Sequence, residues 1–354
     1  MKFLATLILF VSIAHSSFSQ IGGRSIYEFL SVAPSARIAA LGGIQIAVMD
    51  DELTLGVQNP ALLNGEMHQQ ASFNQIDYLS DIAFGYAGYG HKLSETSTLM
   101  VGVQYVSYGD FIQTDEYGTI LGNFSGNEEA FMVGYGKTWK YNLSFGANMK
   151  FIYSNLAGYT SSGLVFDFGL THHLEDKQIT SSFVIRNLGF SISNYANENE
   201  NVPLDIQMGI SKKLENAPFR FNLSFHQLNR PNMTYSNPFG STIINLETGL
   251  PQDEKAPLSD KIMRHVVIGT EILFGENFSI RGGYNHQMRK ELTIEQLKGG
   301  VGYSWGFGLK IWRFKLDYAR VSYHLSGASN FFSIASNLGS WVKKDKVIPS
   351  DIKE

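Results

Sequence analysis

Cysteine is absent from all 354 residues, which excludes disulfides, a lipid attached through an N-terminal cysteine, iron–sulfur clusters and thiolate zinc sites. No stretch past the N-terminus holds 18 apolar residues in a row, so nothing there crosses a membrane as a helix. Charge is also scarce. Asp, Glu, Lys and Arg make up 17% of the chain, against about 25% in ordinary soluble domains. The formal net charge of −4 offers nucleic acid no basic surface. No His-Glu-x-x-His, P-loop or cysteine nucleophile occurs, and no cofactor is implied.

What the chain has instead is glycine (35), phenylalanine (25) and tyrosine (17), spread along segments in which apolar and polar residues alternate. Leu143, Phe145, Ala147, Met149 and Phe151 interleave with Asn142, Ser144, Gly146, Asn148 and Lys150. A period of two sends the first set to one face of a strand and the second to the other. Phe219, Phe221, Leu223 and Phe225 alternate in the same way with Arg220, Asn222, Ser224 and His226. Trp312, Phe314, Leu316 and Tyr318 alternate with Arg313, Lys315 and Asp317. Charges at mid-strand suit a wet lumen better than a solvated sheet, and strands of about 10 residues cross a bilayer at a tilt. The expected fold is an all-β outer-membrane barrel.

Four regions are expected. Residues 1–19 read as a secretory signal, with Lys2, the apolar Phe3 to Ala14, and Ser17-Phe18-Ser19 before Gln20. Residues 20–66 do not alternate and form an N-terminal plug, with a short helix from Pro34 stopped by Gly42-Gly43. Residues 67–338 are the barrel and 339–354 a polar periplasmic tail. Fourteen strands are predicted at 68–78, 81–91, 97–108, 128–139, 142–154, 160–171, 178–188, 204–213, 218–228, 262–274, 277–287, 297–308, 311–323 and 328–338. Connections after even strands are all brief, whereas the long ones (109–127, 189–203, 229–261 and 288–296) all follow odd strands. An outer-membrane barrel shows that partition when its long loops lie outside and both termini are periplasmic.

The N-terminal block carries a resemblance. Gly22-Gly23, Tyr27-Glu28-Phe29-Leu30, Ser35-Ala36-Arg37, Ala39 to Gly43, Asp50-Asp51 and Asn59-Pro60-Ala61-Leu62-Leu63 stand in that order ahead of the first strand. With Met67 and Asp81 to Gly85, the set resembles the PorQ-like barrels of the Bacteroidetes type IX secretion system more than their PorV-like paralogues. These are distant relatives of the fatty-acid transporter barrels. The resemblance implies a non-enzymatic outer-membrane anchor in an attachment complex. There it would hold a PorZ-like surface protein beside the PorU sortase and PorV barrel, in contact with outer-membrane lipid and lipopolysaccharide.

The residues themselves leave choices open. In the plug, Arg37, Gly42, Gly43, Asp50, Asp51, Asn59 and Pro60 serve either as passive filling or as a gate whose charges meet the lumen. Lys150, Asp167, Arg186, Glu271, Arg281, Arg313, Lys315 and Asp317 are expected on the lumen face, as an ionic network or a channel lining. Large apolar residues in long loops mark a partner surface at Tyr108, Phe111, Tyr117, Phe124, Met233, Tyr235, Phe239, Ile243 and Ile244, or else loops folded back over the mouth. Gly302-Tyr303-Ser304-Trp305-Gly306 matches a nucleophile elbow but has no helix after it, and His172-His173 falls at a turn. A surface anchor, a transporter for a hydrophobic or small ligand, and a membrane enzyme are the three readings.

Overall fold

The computed structural model describes residues 25–78, 81–195, 200–234, 243–244, 251–252, 257–292, 299–324 and 327–341. The segment read as a signal, Gly22-Gly23, Tyr235, Phe239, the side chains of Ile243 and Ile244, and the tail after Trp341 lie outside the described residues.

Sixteen strands are described. They are β1 (Gln70–Asp77), β2 (Ala83–Ser94), β3 (Ser97–Thr114), β4 (Ile120–Thr138), β5 (Leu143–Leu156), β6 (Tyr159–Leu174), β7 (Ile179–Ser193), β8 (Asp205–Lys213), β9 (Phe219–Phe225), β10 (Ile243–Ile244), β11 (Pro251–Gln252), β12 (Val266–Phe274), β13 (Phe278–Asn285), β14 (Tyr303–Ile311), β15 (Phe314–His324) and β16 (Gly327–Asn337). Fourteen of them close an antiparallel barrel in chain order, and β10 and β11 form a separate ribbon. The ring shuts where Gln70 pairs with Asn337 and Ile76 with Phe331. Closure leaves no edge of free N–H and C=O groups, which a lipid environment requires. This is a transmembrane β-barrel.

Burial follows the alternation. Along β5, Ser144, Gly146, Asn148, Lys150, Ile152 and Ser154 are buried, while Phe145, Met149, Phe151 and Tyr153 are exposed on the outer wall. Aromatic residues gather at the rim where the connections are short. Trp139 meets Phe145 edge-on, Phe274 stacks on Phe278, and Trp312 meets Trp341.

Three features differ from the sequence expectation. Residues 109–127, read as a loop, are mostly strand, because β3 and β4 continue as a two-stranded hairpin past a register shift between Ser107 and Asp110. The 19 residues of β4 rise about 50 Å at ~3.4 Å per residue and ~40° tilt, twice an apolar band of ~25 Å, so the hairpin tip stands clear of lipid. Second, the turn between β14 and β15 falls at Trp312-Arg313 rather than Leu309-Lys310, with Trp312 at φ 55°. Arg313 thereby leaves the lumen, and its guanidinium lies over the Trp312 and Trp341 rings. Third, short helices, Leu258–Met263 and His286–Glu291, occupy the long-loop mouth. Asp260 joins them, accepting from Arg264 Nε at 3.0 Å and facing His286 Nε2 at 3.1 Å and Lys290 Nζ at 3.2 Å. Burial raises the Asp260 carboxyl, but those hydrogen bonds outweigh it and bring the pKa down to about 2.

Candidate functional site: the plug and its charged seat

Residues 25–69 run through the lumen from one mouth to the other. Ile26 N–H donates to Asn201 O and Tyr27 Oη lies 2.5 Å from Ser161 Oγ, both at the long-loop end. From there the chain descends to Gln70 at the short-turn end, where β1 begins. The first described residues sit at the long-loop mouth, and the N-terminus, expected to be periplasmic, lies outside the described residues.

The segment folds as separate turns. Ser35 caps the helix Ala36–Ala40 by accepting from Ile38 N–H, and Gly42 and Gly43 adopt φ of 96° and 89° where it stops. Asn59 caps the turn Pro60–Leu62, accepting from Ala61 N–H at 3.0 Å and donating to Ile46 O at 2.7 Å. Inward-facing glycines let the wall approach this backbone. A side chain at Gly146 would meet Pro60 carbonyl atoms at 2.4 Å, and one at Gly283 would meet Gly42 N at 2.3 Å. The glycine-rich composition is therefore, in part, the space that the plug occupies.

Two kinds of contact hold it. Toward the long loops the packing is apolar. Tyr27, Phe29, Leu30 and Ile38 join Ile76, Phe84, Val106, Ile152, Val165 and Phe331 of the wall. Toward the short turns, on the β9–β15 side, the contact is ionic. Arg37 donates through Nε and Nη2 to both Glu271 oxygens at 2.9 and 3.1 Å, through Nη1 to Glu52 at 3.0 Å and through Nη2 to Asp50 at 2.6 Å. Glu271 also accepts from Arg220 at 2.7 Å and Arg281 at 2.9 Å. Arg281 goes on to Asp317, and Lys315 pairs with Asp51. A cavity of about 140 Å³ borders the network, lined by Asp50, Asp51, Arg220 and Lys315 among others. Carboxylates and cations are nearly balanced, which makes this a seat for the plug and not a pore of one sign.

Of the charges expected in the lumen, Lys150, Asp167, Arg186, Glu271, Arg281, Lys315 and Asp317 are found there. Lys150 and Asp167 form a second, fully enclosed pair at 2.7 Å, with Asn187 N–H and Asn148 Nδ2 donating to Asp167. Arg186 donates to Leu30 O of the plug at 3.1 Å. Glu52 and Arg220 were not singled out from the sequence as site residues. Glu52 could have been, since Asp50-Asp51-Glu52 is an acidic run in an otherwise apolar block.

The loop residues separate into two groups. Phe111 and Phe124 stack at 5.2 Å and are exposed, as is Tyr117 at 86%. Tyr108 is half-buried and donates to Glu128 at 2.5 Å, and Met233 is buried at 2%. Ser304 donates to Ala40 O of the plug at 2.9 Å, so its hydroxyl serves the packing. His173 meets Thr180 at 2.8 Å, and no metal-binding cluster occurs among the described residues.

No protein-family model and no curated protein matches the chain. Solved structures do. A TodX monoaromatic hydrocarbon channel mutant aligns at 12% identity and a TM-score of 0.49, over 86% of this chain and 97% of that one. The Pseudomonas putida toluene transporter TodX aligns at 13% and 0.48, over 86% and 96%. A Pseudomonas aeruginosa FadL homologue aligns at 10% and 0.46, over 86% and 97%. The barrel assignment rests on this chain's own strand pairing.

Proposed function

We propose that the protein is a non-enzymatic outer-membrane barrel that passes a hydrophobic or small ligand, with residues 25–69 as the movable plug. The observation that carries this is what fills the lumen. Eight strands enclose a space that their own side chains fill, whereas sixteen to eighteen leave an aqueous channel. A fourteen-stranded barrel needs an insert to be closed, and the insert here is a non-covalently seated chain. Its ionic seat faces a cavity at one end, while the half toward the long loops presents apolar wall wherever the plug withdraws. The short turns would face the periplasm and the long loops the exterior.

Deleting residues 25–66 tests the reading. In planar bilayers the truncated barrel should conduct as an open pore while the intact protein stays near silent. A truncated barrel that folds, as shown by heat-modifiable gel mobility, yet remains closed would sink the transport reading.

A second reading, the type IX anchor, draws support from the β3–β4 hairpin. Its exposed Phe111, Ile112, Tyr117, Ile120, Leu121 and Phe124 stand above the bilayer, where apolar side chains gain nothing from lipid. As an anchor, the protein extracted in mild detergent would carry a stoichiometric PorZ-like surface partner, with PorU and PorV nearby. Shortening 111–124 would release it. Copurification that survives the shortening would remove the hairpin from that role.

A further inference from the structure

We propose that Arg313, held against Trp312 and Trp341, is a binding site for the phosphate of an anionic phospholipid in the leaflet at the short-turn end. The Arg313 guanidinium carbon lies 4.4 Å from the Trp312 ring centre and 4.9 Å from that of Trp341. Both distances are within cation–π range. The two indoles meet edge to face at 4.9 Å. Trp341 is held in turn, its Nε1–H donating to Ser336 Oγ at 2.9 Å and its ring packing on Phe314 at 5.5 Å. Ser336 and Phe314 belong to the outer wall, where they pair across β15 and β16. The chain after β16 thus folds back against the barrel exterior, and the guanidinium is presented toward lipid.

Depth supports a headgroup. The turn Trp312-Arg313 sits in the aromatic rim with Trp139, Phe145, Phe274 and Phe278, and Trp and Tyr belts mark the headgroup level of a bilayer. Chemistry supports phosphate. Both indoles approach the guanidinium from one side, and among the described residues its N–H groups have no hydrogen-bond or ion-pair partner, so they are available to match the spacing of phosphate oxygens. Among the described residues no carboxylate is ion-paired with Arg313, in contrast to Arg37, Arg220 and Arg281, each of which is paired. Trp312 also holds a φ of 55°, a left-handed backbone that a bulky residue seldom adopts and that places its ring beside Arg313.

The test is native mass spectrometry of the mature protein in neutral detergent, incubated with phosphatidylglycerol or phosphatidylcholine. Wild type should retain phosphatidylglycerol preferentially, and Arg313→Gln should lower that retention about tenfold, the scale of one charge-assisted bidentate contact. Arg313→Lys, which keeps charge without the planar stack, should fall between them. Trp341→Leu should also weaken retention, and heat-modifiable mobility would verify that each variant is folded. Equal retention by wild type and Arg313→Gln would overturn the site. Equal retention of phosphatidylglycerol and phosphatidylcholine by wild type would overturn its assignment to an anionic lipid.

Discussion

Glu271→Gln should unseat the plug without unfolding the barrel. The buried carboxylate accepts from three guanidinium groups, two of them on the wall and one, Arg37, on the plug. An amide can accept through one oxygen only and turns its NH₂ against the remaining cations. Removing one partner of a buried ionic network costs about 3–5 kcal/mol, because the surviving charges stay desolvated. The Arg37 contact is what joins plug to wall, so the loss should concentrate there. Limited proteolysis should cut within 25–69 while the strands stay resistant, and bilayer conductance should rise. Lys315→Ala is the control. Its partner Asp51 is 41% exposed, and pairs of that kind contribute about 0–1 kcal/mol. Equal protease resistance in Glu271→Gln and wild type would mean that apolar packing alone holds the plug.

The second large effect is expected at Lys150. Lys150 and Asp167 have no exposed side-chain surface, and the pair sits at mid-strand, far from both mouths. Lys150→Met should lower stability by about 3–5 kcal/mol, since it leaves Asp167 charged and buried. Adding Asp167→Asn removes that charge while keeping an oxygen for the Asn187 N–H donor. The double variant should therefore recover stability over Lys150→Met alone, a coupling of about 0.5–3 kcal/mol. Urea unfolding in lipid vesicles, followed by tryptophan fluorescence, measures both. If Lys150→Met is neutral, water reaches Asp167 and the lumen is wetter at mid-depth than the packing indicates.

How much of this the amino-acid sequence revealed depends on the distance over which each feature is encoded. Alternation is local, so all fourteen barrel strands were found, and Lys150 and Asp167 were assigned to the correct face. The upper β3–β4 hairpin was missed because Gln113, Thr114 and Asn123, with Asp115 and Gly118 of the turn between them, look like a solvated loop, and pairing of 110–114 with 120–125 is what extends it. Arg37 and Asp50 were visible as candidate lumen charges. The meeting of Arg37 with Glu271 was not, because it depends on how far the plug reaches along the lumen, and no periodicity records that. For the same reason the sequence did not reveal that residues 26 and 27 lie at the long-loop mouth. Arg313 was misplaced for a smaller reason: a shift of the β14–β15 turn takes it out of the alternation. Met233 could be read as exposed only while the fold of its loop was unknown.

The position of the plug at the start of the chain has a consequence for assembly. Asn59 and Pro60 rest on glycines of β5 and β6, but Arg37 needs Glu271 of β12, and Gly42 needs β13. Contacts that span more than 200 residues bear a large loop-closure cost before they stabilise anything. A segment that precedes every strand in the chain is thus the one whose seat is completed late. Until β12 and β13 exist, its apolar side chains and its acidic run have no shelter. Once β16 has joined β1, the wall encircles the segment, and only the two mouths remain as ways in. A segment that already lies along the wall when β1 meets β16 is spared threading through a mouth afterwards.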